Sequence, residues 1–176
     1  KGEFSFDALL WDLVRSENYW DRHEVASRDR QIDDRLRKRA MGLHERPAEK
    51  AWRTVRDAIH DLPDPSSSEG GNILNHRQQP GARSYPGHTG SPLDLPAKTL
   101  KAGVHGVPGG ENMLLRRDGA VRYFTVRESA RLQTFPDDYE LHGSWSEAMR
   151  QLGNAVPVDL AHVVAKDVAR HIRQVA

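Results

Sequence analysis

The amino-acid sequence predicts an α+β fold, and three observations carry that expectation. Apolar residues recur at helical spacing at both ends of the chain. Residues 72–118 between them are poor in helix signals and rich in Gly, Pro, His, Ser and Thr. Asp118-Gly119 then stands in "RRDGAVRYFTV", the turn chemistry and alternation of a hairpin. With 176 residues, 37% of them apolar, the chain can bury one core and a smaller appendage.

In chain order, Phe6, Leu9, Leu10, Leu13 and Val14 predict a first helix ending near Glu17. Residues 21–46 are dense in charge, and Ile32, Leu36 and Ala40 form only a thin stripe, as in an exposed helix or a partly disordered loop. Pro47 suits a first helical position, and Trp52, Val55, Ile59 and Leu62 mark the buried face of a second helix. It stops at the linker-like run "LPDPSSSEGGN". Lys98–Ala102 is a short candidate strand. In the hairpin, Val121, Tyr123 and Thr125 alternate with Arg122, Phe124 and Val126. Tyr123, Phe124, Leu132 and Phe135 are expected in the core.

The C-terminal third is well punctuated. Thr125 with Glu128, and Ser144 with Glu147, are capping boxes that each open a helix. The first of these helices should run to Thr134, ahead of Pro136. The second is expected to close at Gly153 in a left-handed conformation. Pro157 starts a last helix whose Leu160, Val163, Val164, Val168 and Ile172 need a core to face. There is no internal repeat.

Charged residues make up 29% of the chain but cancel to a net charge of +1, so only their distribution can speak for a nucleic-acid partner. There is no cysteine, which excludes disulfides, thiolate metal sites and a cysteine nucleophile from this chain. No run of apolar residues is long enough to span a membrane, and no signal-peptide core opens the sequence. The chain begins at Lys1, as a piece of something longer or a trimmed product would.

Three stretches are candidates for chemistry. Residues 83–113 set Arg, His, Thr, Ser and Lys between glycines and prolines, presenting donors without bulk. Arg83, Lys98 and Lys101 are suited to phosphates, and His88, Thr89, Thr99 and His105 to phosphates or base edges. The competing reading is a solvated surface loop. His76, His88 and His105 lack the spacing and partner ligands of a metal site. "GVPGGEN" lacks the strand–loop–helix setting of a phosphate-cradling loop, and no Ser-His-Asp arrangement follows from spacing. Arg127 and Arg131 lie four residues apart on one helix face, suited either to bridging a neighbouring loop or to contacting DNA. Finally, "GNAVP" (residues 153–157) is either plain helix-to-helix punctuation or a ligand-facing hinge, with an amide at Asn154 and unpaired backbone N–H groups beyond it.

"YPGHTGSPLDLPAKTLKAGVHGVPGGEN", "VRYFTVRESARLQTFPDDY" and "RQLGNAVPVDLA" together resemble the C-terminal part of bacterial cytosine-5 DNA methyltransferases. The last two resemble that family's ninth and tenth conserved motifs and the first its target-recognition region. "FDALLWDLVRSENYW" resembles the segment that precedes it. The resemblance implies a DNA-recognition lobe of hairpin strands and long loops. It also implies C-terminal helices that would complete a doubly wound α/β catalytic lobe. The implied division is a helical lead-in at 1–62, a target-recognition region at 63–124 and C-terminal helices at 125–176.

The same resemblance implies S-adenosylmethionine as cofactor and double-stranded DNA as partner, with the target cytosine flipped out of the duplex and attacked by a cysteine. Matching positions make Asn154, Ala155 and Val156 cofactor contacts. Arg83, His88, Thr89, Lys98, Thr99, Lys101, His105, Gly109 and Gly110 become DNA contacts, and Arg127, Glu128 and Arg131 hold the junction between lobes. The family's glycine-rich cofactor motif, Pro-Cys loop and Glu-Asn-Val motif are all missing, and Glu111-Asn112-Met113 lies on the wrong side of the recognition region to replace the last. No catalytic residue and no metal ligand is therefore assigned here.

The implied activity is that of the recognition and C-terminal component of a cytosine-5 methyltransferase, inactive alone and completed by a cysteine-bearing N-terminal part. The alternative is a stand-alone DNA-binding or regulatory remnant. Either way the expectation is a cytoplasmic, nucleoid-associated protein with no membrane contact. The last helix should expose an apolar face until its partner covers it.

Overall fold

The chain divides into two compact units, Lys1–Arg53 and Thr54–Ala176, and the computed structural model describes residues 2–102 and 110–175. Among them, helices alternate with two small sheets in an α+β arrangement.

In the first unit, Ser5 ends strand β1 (Phe4–Ser5) and caps helix α1 (Phe6–Leu10), its hydroxyl accepting from the N–H groups of Asp7 and Ala8. The helix continues as a wide π turn over Trp11–Arg15, and Glu17 breaks it at φ 57°. Helices α2 (Asn18–Arg22) and α3 (Asp34–Met41) follow. Ala8, Leu9, Leu10, Leu13, Tyr19, Trp20 and Ala40 are buried, and the Trp20 indole donates to the carbonyl of Leu13 at 2.7 Å. Strand β2 (Lys50–Ala51) runs parallel to β1, with Phe4 opposite Lys50.

The helix expected from Pro47 through Leu62 is a misreading. Lys50–Ala51 is drawn into the sheet, Trp52 is 46% exposed, and only α4 (Val55–Ile59) is helical. Its start is set by Thr54, whose hydroxyl and backbone N–H pair reciprocally with Asp57.

The second unit adds α5 (Ser68–Gly71) and a three-stranded sheet in the order β3 (Ser91–Pro92), β4 (Met113–Leu115), β5 (Val121–Tyr123). β3 is parallel to β4, and β4 is antiparallel to β5 with Met113 opposite Tyr123. The β4–β5 hairpin turns at Asp118-Gly119 as its sequence requires: Gly119 sits at φ 82°, and the Asp118 carboxylate accepts from the N–H of Ala120. Helices α6 (Val126–Leu132), α7 (Trp145–Asn154) and α8 (Val158–Val175) complete the unit. Both predicted capping boxes are present. α6 is shorter than expected, because Thr134 takes a left-handed φ of 58°.

Apolar side chains of this unit gather in clusters among the described residues. Leu100, Val126, Ala130, Leu141, Ala148, Met149 and Leu152 build one, with Phe135 and Trp145 packed on it. Val55, Ala58, Ile59, Leu114 and Phe124 build another, with Leu132 against it. Lys98–Ala102 is not a strand: the N–H of Lys98 goes to the Ser91 hydroxyl and that of Lys101 to the Asn112 side chain. α8 stands apart from both clusters. Leu160, Val163, Val164, Val168 and Ile172 are each more than half exposed.

Candidate functional site

The second unit gathers most of the sequence-predicted residues into three neighbourhoods. The first is the loop preceding and following β3. Thr89, Lys98, Thr99, Lys101 and Arg83 are exposed and His88 is half-buried. Lys98 Nζ lies 3.3 Å from the Thr89 hydroxyl. Lys101 Nζ lies 3.1 Å from Glu111 Oε1, and His88 Nδ1 lies 3.3 Å from Glu111 Oε2. The latter oxygen is buried yet accepts no well-aligned hydrogen bond among the described residues.

Glu111 is thus the shared counter-charge of two predicted phosphate-facing groups. Burial pushes its carboxyl up, but the bond from Lys101, the backbone and the nearby charges outweigh that and hold it below the usual carboxylate range. The Tyr85 and His88 rings stack 4.4 Å apart. Among the described residues no hydrogen bond or ion pair joins Arg83 to this group. His105 and Gly109 lie outside the described residues, and Gly110 opens the tight turn Gly110–Asn112.

The second neighbourhood is a polar junction beneath α6. The fully buried Arg127 donates from Nε to the carbonyl of Leu74 (3.0 Å), from Nη1 to that of Pro136 (3.0 Å) and from Nη2 to that of Tyr139 (2.9 Å). Burial lowers its affinity for the proton, though not enough to discharge a guanidinium. Glu128, 1% exposed, caps α6 and forms a bidentate pair with Arg122 at 2.6 and 2.7 Å. Arg131 chelates Asp137 and reaches Asp61 at 2.5 Å. His76, buried, bridges the Thr125 hydroxyl and the Pro63 carbonyl, each at 2.9 Å. Asn75, at φ 60°, exchanges two hydrogen bonds with the backbone of Leu141.

The third neighbourhood is the hinge between α7 and α8. Gly153 does not close α7 in a left-handed conformation. The helix runs through it to Asn154, and the turn falls at Ala155, which is extended at φ −74°, ψ 150°. Gly153 is needed for a different reason: a Cβ there would lie 2.7 Å from the N of Ala102 and 2.8 Å from the carbonyl carbon of Lys101. Asn154 and Val156 are exposed, and among the described residues the Asn154 amide has no partner. α8 is anchored at its first turn, where the N–H groups of Val158 and Asp159 reach the Gln133 carbonyl and the Thr134 hydroxyl.

The hinge and the loop therefore meet, through the contact of Gly153 with Lys101–Ala102. Sequence reasoning passed over Asn75 and Gln133, and it weighed His76 and Asn112 only for roles it then rejected. Each acts through a long-range hydrogen bond for which the sequence carries no local signature. Among the described residues no three His, Asp or Glu side chains are placed to hold a metal, and no helix is long and apolar enough to cross a membrane.

Comparison with known proteins adds a family. A family model described as C-5 cytosine-specific DNA methylase matches residues 12–170. The type II methyltransferase M.AplI of Arthrospira platensis is 48% identical over 77 residues, 43% of this chain and 22% of that protein. M.PspPI of a Psychrobacter species is 53% identical over 49 residues, 28% of this chain and 12% of the relative. The rice DNA (cytosine-5)-methyltransferase CMT2 is 40% identical over 63 residues, 36% of this chain and 5% of its own length. The chain thus spans less than a quarter of the length of these curated relatives.

Proposed function

The chain belongs to the C-5 cytosine-specific DNA methylase family, and from that premise we propose that it is the DNA-recognition and C-terminal portion of a cytosine-5 DNA methyltransferase. Its division of labour is a lead-in at 1–62, a recognition region at 63–124 and docking helices at 125–176. Lys98 and Lys101, with His88, Thr89 and Thr99 around them, contact DNA from one side of the second unit, and Arg83 adds a phosphate contact from outside that group. Arg127, Glu128 and Arg131 make the junction on which that side is mounted.

The observation that carries this reading is α8. An 18-residue amphipathic helix, fixed at its first turn, presents five large aliphatic side chains to solvent. Covering the exposed half of each stabilises an assembly by about 0.8–1.5 kcal/mol. That is the signature of a helix whose packing partner lies in another part of the enzyme. The cysteine that attacks the cytosine ring is absent from these 176 residues, so the same part must supply it.

S-adenosylmethionine, when bound, supplies the methyl group. The amide of Asn154, without a partner among the described residues, the extended backbone at Ala155 and the exposed Val156 fit one edge of its site, offering a donor, an acceptor and apolar contact. These residues bind and orient; none of them moves a proton.

The test is transfer of labelled methyl from S-adenosylmethionine to DNA, by this chain alone and mixed with a cysteine-bearing N-terminal complement. Activity only in the mixture is the expected result. Silence in both, from a folded chain that still binds duplex DNA, overturns the reading in favour of a stand-alone DNA-binding remnant.

A further inference from the structure

We propose that Asn112 and Gly153 are positioning residues for DNA binding, acting through Lys101. The inference rests on the reading that Lys101 contacts DNA. Lys101 is held from three sides. Its backbone N–H donates to Asn112 Oδ1 at 3.2 Å, and its carbonyl accepts from Asn112 Nδ2 at 3.3 Å, so one buried amide mimics a strand partner for both backbone groups. Its ammonium is drawn to Glu111 Oε1 at 3.1 Å. Behind it, Gly153 of α7 approaches so closely that any larger residue would overlap the Lys101–Ala102 peptide.

Asn112 is itself fixed, because its carbonyl accepts from the N–H of Phe124 at 3.0 Å and Phe124 is fully buried. The Lys101 backbone is therefore clamped between the sheet side and the last turn of α7, while the ammonium stays half-exposed at the surface. A flexible lysine on a loose loop loses conformational freedom on meeting a phosphate. Here the backbone part of that loss is already taken in the folded chain, and the charge is presented at one place.

Gly153 gives a clean probe, since alanine inside a helix is better tolerated than glycine by the helix itself. Gly153→Ala should leave α7 intact and displace the Lys101–Ala102 peptide. Asn112→Asp keeps the shape but turns the donor to the Lys101 carbonyl into an acceptor and adds a negative charge beside Lys101, so Gly153→Ala, which changes no charge, is the deciding variant. The experiment is a salt titration of binding between the full 176-residue chain and a labelled mixed-sequence DNA duplex, with helix content checked by circular dichroism. Lys101→Met is the reference variant, and it should reduce the slope of log K against log salt by about one.

Gly153→Ala and Asn112→Asp are each expected to reduce the slope by a similar amount. The double variant Lys101→Met/Gly153→Ala should bind no more weakly than Lys101→Met alone, because both changes act on one contact. If Lys101→Met lowers the slope while Gly153→Ala keeps the wild-type value, the positioning proposal is wrong and the DNA reading stands. Additive losses in the double variant overturn it equally. If Lys101→Met itself leaves the slope unchanged, Lys101 does not contact phosphate and both the reading at that residue and the proposal fall.

Discussion

Arg127 donates from Nε to the carbonyl of Leu74, 3.0 Å away and 53 positions earlier in the chain. With Pro136 and Tyr139 at its other nitrogens, one guanidinium ties the segment at Leu74 to the turn at Pro136–Tyr139 through three carbonyls. Only a planar fork with fixed donor directions can do this from a single buried site.

Arg127→Met is accordingly expected to be severe. It keeps the length of the side chain and leaves the carbonyls of Leu74 and Tyr139 without their guanidinium donor, while that of Pro136 retains only the N–H of Tyr139, at about 1–3 kcal/mol for each that stays buried and unpaired. A loss of about 3 kcal/mol or more, read as a lower urea midpoint at unchanged slope, is the expected outcome. Arg127→Lys should recover part of it, since an ammonium reaches some of the carbonyls but not all. A methionine variant within experimental error of wild type would show that the junction carries no stability.

Arg131 predicts a pH dependence. Its hydrogen bonds hold the carboxyls of Asp61 and Asp137 below their ordinary values. A group with a depressed folded value stabilises the fold above its unfolded value, and that contribution is lost as pH falls through the folded one. Stability should therefore decline from about pH 4 downward. Both carboxylates are more than half exposed, so the contribution is small, about 1 kcal/mol or less. In Asp61→Asn/Asp137→Asn the fall in melting temperature over that acid range should be shallower than in wild type. Identical acid profiles would count against the pairing.

How much of this was legible in the sequence divides by range of interaction. The Thr125–Glu128 and Ser144–Glu147 caps, the Asp118-Gly119 turn and the apolar stripe of α8 are local patterns, and the structure realises them. The helix expected over Pro47–Leu62 failed because Lys50–Ala51 pairs with Phe4–Ser5, a contact between distant segments that overrides local propensity. Gly153 was recognised as a special position but for the wrong reason: its glycine answers a tertiary contact with Lys101–Ala102, not a left-handed cap. At the candidate site, the cationic side chains were visible as types. Glu111 was weighed only as a catalytic glutamate and set aside for its place in the sequence order; that it meets Lys101 and His88 has no local sign, since residues 88, 101 and 111 converge only in the fold.

The exposed face of α8 separates folding from assembly. Val164→Lys and Val168→Lys alter side chains that are 54% and 52% exposed, so the melting temperature of the isolated chain should hardly change. Their effect should fall on association with the cysteine-bearing complement. Each loses the burial of the half of its side chain that is still exposed, about 0.8–1.5 kcal/mol, a weakening of roughly fourfold to tenfold. Titrating labelled complement into each variant measures it. If the variants assemble as tightly as wild type, α8 is not the docking surface.

Asn154 should separate binding from chemistry in the assembled enzyme. Its amide sits at the end of α7, exposed and without a partner among the described residues, so Asn154→Ala removes no hydrogen bond among them. Any effect on methylation must come from a lost contact to a bound molecule. A single neutral hydrogen bond contributes about 0.5–1.5 kcal/mol, which raises the KM for S-adenosylmethionine by roughly twofold to tenfold. If the bond is equally strong in the ground and transition states, kcat is unchanged and the defect disappears at saturating cofactor. Unaltered methylation at low cofactor concentration would remove Asn154 from the cofactor site, and the hinge would then be explained by the Gly153 contact alone.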